Sequence, residues 1–238
     1  MWRQPLELAT SLFFKSLVGI ACAVLPVALA EAILLTYLNH YVFNYDPESW
    51  QSLRSDSLIA MVFMPFWSLG VLYVVRQSHL GVGCRLGEGI HFVGSKAMSL
   101  LGALFVANLL VGLGVLALVV PGIYLMGKYF LIEPIIAFER PGLIPTREYS
   151  GELMQGRKLS TLIIAGLLFA LWFVAYTATY FGVYLIFPDA TIWIDALIDV
   201  VFAVPLAFFT VYSFAIYAVA TEEKSRVLEE GAMAEDLR

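Results

Sequence analysis

The stretch of sequence that decides the fold covers residues 121–158 and reads PGIYLMGKYFLIEPIIAFERPGLIPTREYSGELMQGRK. Its first two residues, Pro121 and Gly122, predict a hairpin turn between two apolar segments, since proline and glycine are the strongest turn residues. The apolar run that follows predicts a short membrane helix broken at Pro134. The next run is amphipathic and ends at Gly156-Arg157-Lys158, which predicts a helix lying at the membrane surface.

The composition places the whole chain in a membrane. The chain has 238 residues, of which 61% are hydrophobic and 14% charged, and its mean hydropathy is +0.83. A soluble domain of this length could not bury so much apolar surface, so lipid has to be its solvent. We therefore predict an all-α polytopic membrane protein, because helices satisfy their own backbone hydrogen bonds in lipid. The net charge of -5 and the lack of a Lys/Arg block argue against nucleic-acid binding.

Apolar and amphipathic segments alternate along the chain. Three amphipathic segments predict interfacial elbow helices, at residues 1–16, 76–96 and 139–157. Residues 1–220 then form a six-span transmembrane domain, and residues 221–238 form a charged tail on the cytoplasmic side. Six segments are long enough to cross a bilayer: 17–38, 58–75, 97–120, 123–138, 159–187 and 193–220.

The basic residues predict the orientation. Twelve of the fourteen Lys and Arg residues fall on one side of this six-span layout, while Arg54 falls in an outer loop and Lys128 within a span. By the positive-inside rule, we expect both termini to be cytoplasmic and the chain to cross the membrane six times.

A threefold repeat is also visible. Each unit consists of an interfacial helix, a basic residue at the membrane edge and two spans, and the edge residues are Lys15, Lys96 and Lys158. Three units of the same polarity predict parallel repeats. The alternative is that any membrane protein built from hairpins with basic inner loops has this pattern.

Five polar residues inside the spans are the candidate site: Glu31, Asn108, Lys128, Glu133 and Asp199. Intramembrane ionisable residues are costly and commonly functional. At 1.5 Å per residue, Glu31 lies about 10 Å from the outer end of its span, and Lys128 and Asp199 about 9 Å from theirs. We expect these three to line an outer cavity with Glu133 and Asn108 as its floor. The alternative is a structural ion pair of Lys128 with Glu31 or Asp199.

Four basic residues are predicted to contact lipid headgroups: Lys15, Lys96, Arg157 and Lys158. At the inner leaflet each contributes about 1 kcal/mol of attraction to anionic lipid. Membrane lipids are thus the expected partners, through either specific binding or generic anchoring. Small residues, among them Gly166 and Ala170 in the fifth span, predict close helix packing, either within the bundle or with another subunit or a second copy.

The sequence offers no catalytic, cofactor or metal site. His79, Cys84 and His91 share one segment, but their spacing fits no zinc pattern. Gly81 and Gly83 follow a membrane span and not a strand, so they do not form a phosphate loop. We therefore expect no enzyme and no cofactor.

Residues 121–158 carry a family resemblance. The features that carry it are Pro121-Gly122-Ile123, Lys128, Pro134, Glu139, Ser150, Leu153 and Gly156-Arg157. With these features the stretch resembles the YciC-like bacterial inner-membrane proteins and the related membrane domain of some glycerophosphodiester phosphodiesterases. The resemblance implies a bacterial inner-membrane location and six helices with interfacial elbows. It carries no hydrolase activity, which in the fused relatives belongs to a separate domain. Glu133 is a departure from the pattern.

Two functions remain open. The first is an accessory or scaffold subunit of a membrane complex, favoured by the elbow helices and small-residue faces. The second is a transporter or lipid-handling protein, favoured by the intramembrane charges. A continuous polar cavity that reaches Glu133 would favour transport, and a filled bundle with an exposed apolar flank would favour the subunit.

Overall fold

The structure, a computed structural model, describes residues 3–38, 41, 50–139, 143–187 and 192–236. These residues contain ten α-helices and no strand. Six helical stretches are long and apolar enough to cross a membrane, so the predicted all-α polytopic fold is confirmed. In chain order the helices are α1 (Arg3–Lys15), α2 (Leu17–Tyr37), α3 (Trp50–His79), α4 (Leu86–Ala117), α5 (Val119–Tyr129), α6 (Ile132–Glu139), α7 (Leu143–Leu153), α8 (Lys158–Ile186), α9 (Ile192–Leu206) and α10 (Phe208–Asp236).

The membrane helices close into a ring in chain order. Helix α2 packs on α3, α3 on α4, α4 on α5, α5 on α8, α8 on α9, and α9 returns to α2. Helices that follow one another in the chain are commonly neighbours in space, and the step from α5 to α8 skips α6 and α7. Each of the three predicted repeat units therefore contributes two adjacent helices to the ring.

A basic residue links the two helices of each unit. The Lys15 ammonium, before α2, donates a hydrogen bond to the Ser78 carbonyl at the end of α3 (3.2 Å). The Lys96 ammonium, in α4, donates to the Ile136 carbonyl in α6 (3.1 Å). Arg157, just before α8, forms an ion pair with Glu223 on α10. A basic residue thus links two helices in each unit, but the third link is an ion pair from Arg157, while Lys158, the predicted edge residue, bonds Tyr124.

The core lies where the N-terminal helix meets the ring. Buried apolar side chains from α1, α3, α6 and α10 form one cluster that includes Leu12, Leu72, Ile135 and Ile216. Helix α8 is the opposite case, because Thr161 is the only buried residue among those the structure describes in it. Exposed apolar surface on a spanning helix faces lipid tails or another membrane protein.

The turn of the second hairpin differs from the prediction. The backbone is extended at Leu118 (φ −166°, ψ 140°), which separates α4 from α5, and Pro121 and Gly122 lie in the first turns of α5. Gly122 instead allows close packing, since a Cβ built there would lie 2.3 Å from Val115 Cγ2 and 2.8 Å from the Val115 backbone nitrogen. The turn predicted at Pro121-Gly122 is therefore three residues too late.

Prolines mark breaks in two spans. The fourth span is interrupted between α5 and α6, at Phe130 and Leu131. Pro134 has no N–H with which to bond the Phe130 carbonyl four residues earlier, which explains why the break precedes the proline. The predicted sixth span is also two helices, separated at Ala207, two residues after Pro205.

The two halves of the sixth span have different neighbours. Helix α9 packs on α2 and α8, whereas α10 packs on α1, α3, α6 and α7. Helix α10 also continues through Asp236, so no break separates the predicted tail at residue 221 from the membrane domain. The predicted tail is thus helical over the part that the structure describes.

Two further boundaries differ from the prediction. Of the second predicted elbow, residues 76–79 end α3 and residues 86–96 continue without a break into the third span as α4, whereas α1 and α7 are separate helices as predicted. Arg54, predicted in an outer loop, belongs to α3, which begins at Trp50. The rest of that loop, residues 39–40 and 42–49, and the loop at 188–191 lie outside the described residues.

Candidate functional site

Carboxylates and tyrosines meet between α2, α8 and α9. The Tyr176 hydroxyl donates a hydrogen bond to Asp199 Oδ1 (2.8 Å), and the Tyr184 hydroxyl donates to Asp195 Oδ1 (2.7 Å). Glu31 on α2 is close enough to Asp199 for their negative charges to interact. We call these five residues the acidic–tyrosine cluster. The structure therefore brings together two of the predicted site residues, Glu31 and Asp199.

An aromatic stack forms the α8 side of this cluster. Trp172 and Tyr176 are stacked with ring centroids 5.4 Å apart, and Tyr180 lies 6.4 Å from Tyr176 and 4.9 Å from Tyr184. The Phe202 ring on α9 meets Tyr176 edge-on at 5.4 Å. Residues four apart lie on one face of a helix, so this spacing builds a continuous aromatic face.

The sequence carried the signal for this cluster. Trp172, Tyr176, Tyr180 and Tyr184 follow one another at intervals of four, as do Asp195 and Asp199. Only Asp199 was among the predicted site residues, because a tyrosine in a span is as common at the membrane interface as in a site. A cluster of carboxylates and aromatic faces can bind protons or a cation, since both groups attract positive charge.

Lys128 is elsewhere in the fold. It forms no ion pair with any residue that the structure describes, so the predicted pairing with Glu31 or Asp199 is absent. Its side chain instead runs past Gly151 on α7, where an added Cβ would lie 2.9 Å from Lys128 Cε. The Ser150 hydroxyl donates to the Lys128 carbonyl (2.7 Å).

The depth predicted for Lys128 was counted from the wrong turn. Counted from Leu118, Lys128 is ten residues along and about 15 Å from the hairpin tip, not about 9 Å. Its neighbour Gly127 packs against Lys158, which begins α8 and was predicted at the inner membrane boundary. Lys128 therefore does not share one outer cavity with Glu31 and Asp199.

Glu133 and Asn108 do not form the floor of that cavity. The Thr210 hydroxyl on α10 donates to Glu133 Oε2 (3.3 Å), and the neighbours of Glu133 on α6, Ile132 and Pro134, are buried. Asn108 is exposed, while the adjacent Ala107 is on the packed face of α4. Glu133 is consequently part of the packed layer between α6 and α10.

Two of the predicted headgroup lysines contact helix ends. Lys96 is half-buried and donates to the carbonyls of Ile136 and Ala137, near the C-terminus of α6. Lys15 is exposed and donates to the Ser78 carbonyl near the C-terminus of α3. The last carbonyls of a helix lack partners within it and carry partial negative charge, so a cation there is stabilising.

The other two predicted headgroup residues lie where α7 meets α8. Arg157 Nη2 bonds Glu223, and its Nη1 is buried with no hydrogen-bond partner among the described residues. The Lys158 ammonium donates to the Tyr124 hydroxyl on α5 (2.9 Å).

Helix α10 is joined to α7 by a second polar contact. Lys224 lies 3.4 Å from Glu152 and 4.5 Å from the centroid of the Tyr149 ring. Burial, followed by the charge of Glu139, raises the pKa of Tyr149 above its usual value of 10.0. The beginning of the predicted tail is therefore attached to the elbow helix.

Comparison with known proteins adds no family to this picture. No protein-family model, curated protein or solved structure shows significant similarity to the chain. The similarity to YciC-like proteins stays a prediction that depends on residues 121–158.

Proposed function

We propose that this protein is a non-enzymatic accessory or scaffold subunit of a complex in the bacterial inner membrane, with both termini in the cytoplasm. We also propose that it belongs with the YciC-like proteins. The observation that supports a scaffold is the exposure of α8, which is a full-length span with little packing of its own.

Helix α8 offers a long surface to a partner. Its main neighbours are α5 and α9, and large apolar side chains along it are exposed: Leu167 at 67%, Leu171 at 69% and Val174 at 63%. In lipid these side chains gain little from simple burial, so association depends on close van der Waals packing.

The small residues of α8 favour such packing. A Cβ built on Gly166 would meet nothing within 4 Å, so this glycine is not used for packing inside the protein. Ala170, four residues later, is exposed as well. Gly114 in α4 differs, because Gly122 lies 3.1 Å from its built Cβ. The small-residue spacing on α8 thus favours a helix from outside the chain over internal packing.

Photo-crosslinking tests this proposal directly. A benzophenone residue placed at Leu171 is expected to give a protein adduct when cells are irradiated, because a partner helix covers that position. The control places the same group at Leu116 in α4, which is 84% exposed but carries no proposed contact. Adducts with lipid alone at Leu171, or equal protein adducts at both positions, would contradict the proposal.

A small-molecule or lipid transporter is the second candidate, and the acidic–tyrosine cluster favours it. Glu31, Asp195 and Asp199 supply negative charge, and Tyr176 supplies an aromatic face. This chemistry suits an organic cation or a proton.

Uptake into proteoliposomes tests the transporter. Proteoliposomes that contain the protein should accumulate tetraphenylphosphonium when a pH gradient is imposed, and Glu31→Gln should abolish this uptake. Glu88→Gln, on an exposed residue outside the cluster, is the matched control. Uptake that is unchanged in Glu31→Gln excludes the cluster as a transport site.

A further inference from the structure

Two glycines bring α5, α7 and α8 into close contact. A Cβ built on Gly127 would lie 3.0 Å from Leu162 Cδ1 and 3.2 Å from Lys158 Cβ. A Cβ built on Gly151 would lie 2.9 Å from Lys128 Cε and 3.4 Å from its Cγ. Because glycine has no side chain at either position, the aliphatic stem of Lys158 packs against Gly127 on α5, and that of Lys128 packs against Gly151 on α7.

Lys128 and Lys158 both lie close to Tyr124. The Lys158 ammonium bonds the Tyr124 hydroxyl and lies 4.3 Å from the centroid of the Tyr124 ring. Lys128 lies four residues after Tyr124 on α5, and so on the same face of that helix, and its ammonium lies 5.7 Å from the centroid of the Tyr129 ring. We call Tyr124, Lys128 and Lys158 the lysine junction.

The lysine junction has an excess of positive charge. Neither lysine forms an ion pair with a residue in the described parts of the chain, and both are partly buried. Arg157, next to Lys158, uses Nη2 for Glu223, and its Nη1 is buried with no hydrogen-bond partner in the part of the chain that the structure describes. Cations removed from water are costly unless an anion compensates them.

The start of α8 adds donors to the same place. Helix α8 begins at Lys158, and Arg157 at its N-cap makes no side-chain capping hydrogen bond. The first backbone N–H groups of a helix have no partner within it, and they favour phosphate. Two ammonium groups, a phenol hydroxyl and the first backbone N–H groups of α8 are all donors from which phosphate oxygens accept hydrogen bonds.

We propose that the lysine junction binds a phosphate group, carried by an anionic membrane lipid or by a free phosphate compound. The junction joins the interfacial helix α7 to the membrane helix α8, which is where a lipid headgroup would reach it. Lys128 is an essential part of the site. This phosphate site is independent of the partner protein that we propose at α8.

Native mass spectrometry of the full chain tests this site. The protein in mild detergent is titrated with dioleoyl phosphatidylglycerol, with dioleoyl phosphatidylcholine and, separately, with inorganic phosphate. We expect phosphatidylglycerol to bind about tenfold more tightly than phosphatidylcholine, which corresponds to about 1.4 kcal/mol. Binding of inorganic phosphate that competes with phosphatidylglycerol would identify a free phosphate compound as a second source. Absence of binding by both anions would overturn the proposal.

Variants identify the residues. Lys128→Gln and Lys158→Gln should each remove the preference for phosphatidylglycerol, whereas Lys128→Arg should retain it. Lys224→Gln, on an exposed lysine of α10, is the matched control and should bind as the unmodified protein does. An equal loss of the phosphatidylglycerol preference in Lys224→Gln would show that anionic lipid is attracted to basic residues in general, and it would contradict the proposed site.

Thermal stability gives a readout that needs no variant. A ligand that binds the folded state raises the Tm. Phosphatidylglycerol should raise the Tm of the unmodified protein, while the same concentration of phosphatidylcholine should not. Equal Tm values in the two lipids would overturn the proposal even if the glutamine variants did not fold.

Discussion

Tyr176 and Asp199 join α8 to α9 through a hydrogen bond of 2.8 Å. Tyr184 and Asp195 form a second bond of 2.7 Å between the same helices. The Trp172 indole N–H donates a third bond, to the Phe202 carbonyl (3.2 Å), and these bonds join an otherwise largely exposed α8 to the ring.

Tyr176→Phe should therefore loosen α8. The loss of a hydrogen bond to a carboxylate is expected to cost about 1–2 kcal/mol and lower the Tm by a few degrees. Tyr37→Phe, on an exposed tyrosine of α2, is the control and should have a negligible effect. Scanning fluorimetry in detergent measures both. Equal Tm values for Tyr176→Phe and the unmodified protein would mean that the bond contributes nothing.

Gly122→Ala should destabilise the second hairpin. The new Cβ would lie 2.8 Å from the Val115 backbone nitrogen, which cannot move as a side chain can. Overpacking of this kind costs about 1–3 kcal/mol. Gly112→Ala on the same hairpin has open space within 4 Å and should be neutral or slightly stabilising. Thermal unfolding followed by circular dichroism separates the two, and a stable Gly122→Ala would contradict the close contact.

Lys96→Met should weaken the end of α6. The substitution keeps an apolar stem but removes the donor to the Ile136 and Ala137 carbonyls. We expect the free energy of unfolding to fall by about 1–3 kcal/mol, because the two carbonyls would lose their donor at a half-buried position. Lys15→Met removes a similar bond at an exposed position and should cost less. Chemical unfolding in detergent measures the difference, and the opposite order would refute this role of Lys96.

Glu223→Gln should be more harmful than Glu222→Gln. Glu223 is the partner of Arg157, whose side chain is 13% exposed, whereas Glu222 pairs with the 70% exposed Arg226. Glu223→Gln should lower the free energy of unfolding by about 1–2 kcal/mol, and Glu222→Gln by about 0.5 kcal/mol or less. Thermal unfolding of the two variants in one detergent provides the comparison. Similar values would indicate that the ion pair of Arg157 with Glu223 does not stabilise the fold more than the exposed pair does.

Much of the fold could be predicted because its signals are long. A run of apolar residues near 20 in length signals a span regardless of its surroundings, so the number of spans and the all-α class were recoverable. The positions of turns depend on which neighbour packs where. Pro121-Gly122 had the residues of a turn, yet the contact of Gly122 with Val115 placed them inside α5.

The candidate site was predictable only in part. Asp199 and Glu31 could be placed together, because both were counted at a similar depth from the predicted outer ends of their spans, and the helices that carry them, α2 and α9, are neighbours. Lys128 could not be placed, since its depth was counted along one straight helix from the wrong turn. The partners of Lys128 come from α7, and a contact between an elbow helix and a span leaves no periodic signal in the sequence.

The size of the complex extracted from native membranes tests the proposed partner at α8 most directly. Gly166→Leu fills the open small-residue position, and Gly102→Leu makes the same change at an equally open position in α4. On blue native gels, we predict that the unmodified protein and Gly102→Leu migrate as one larger complex and that Gly166→Leu migrates as the single subunit. Migration of the unmodified protein as a single subunit, or of Gly166→Leu with the full complex, would contradict the account.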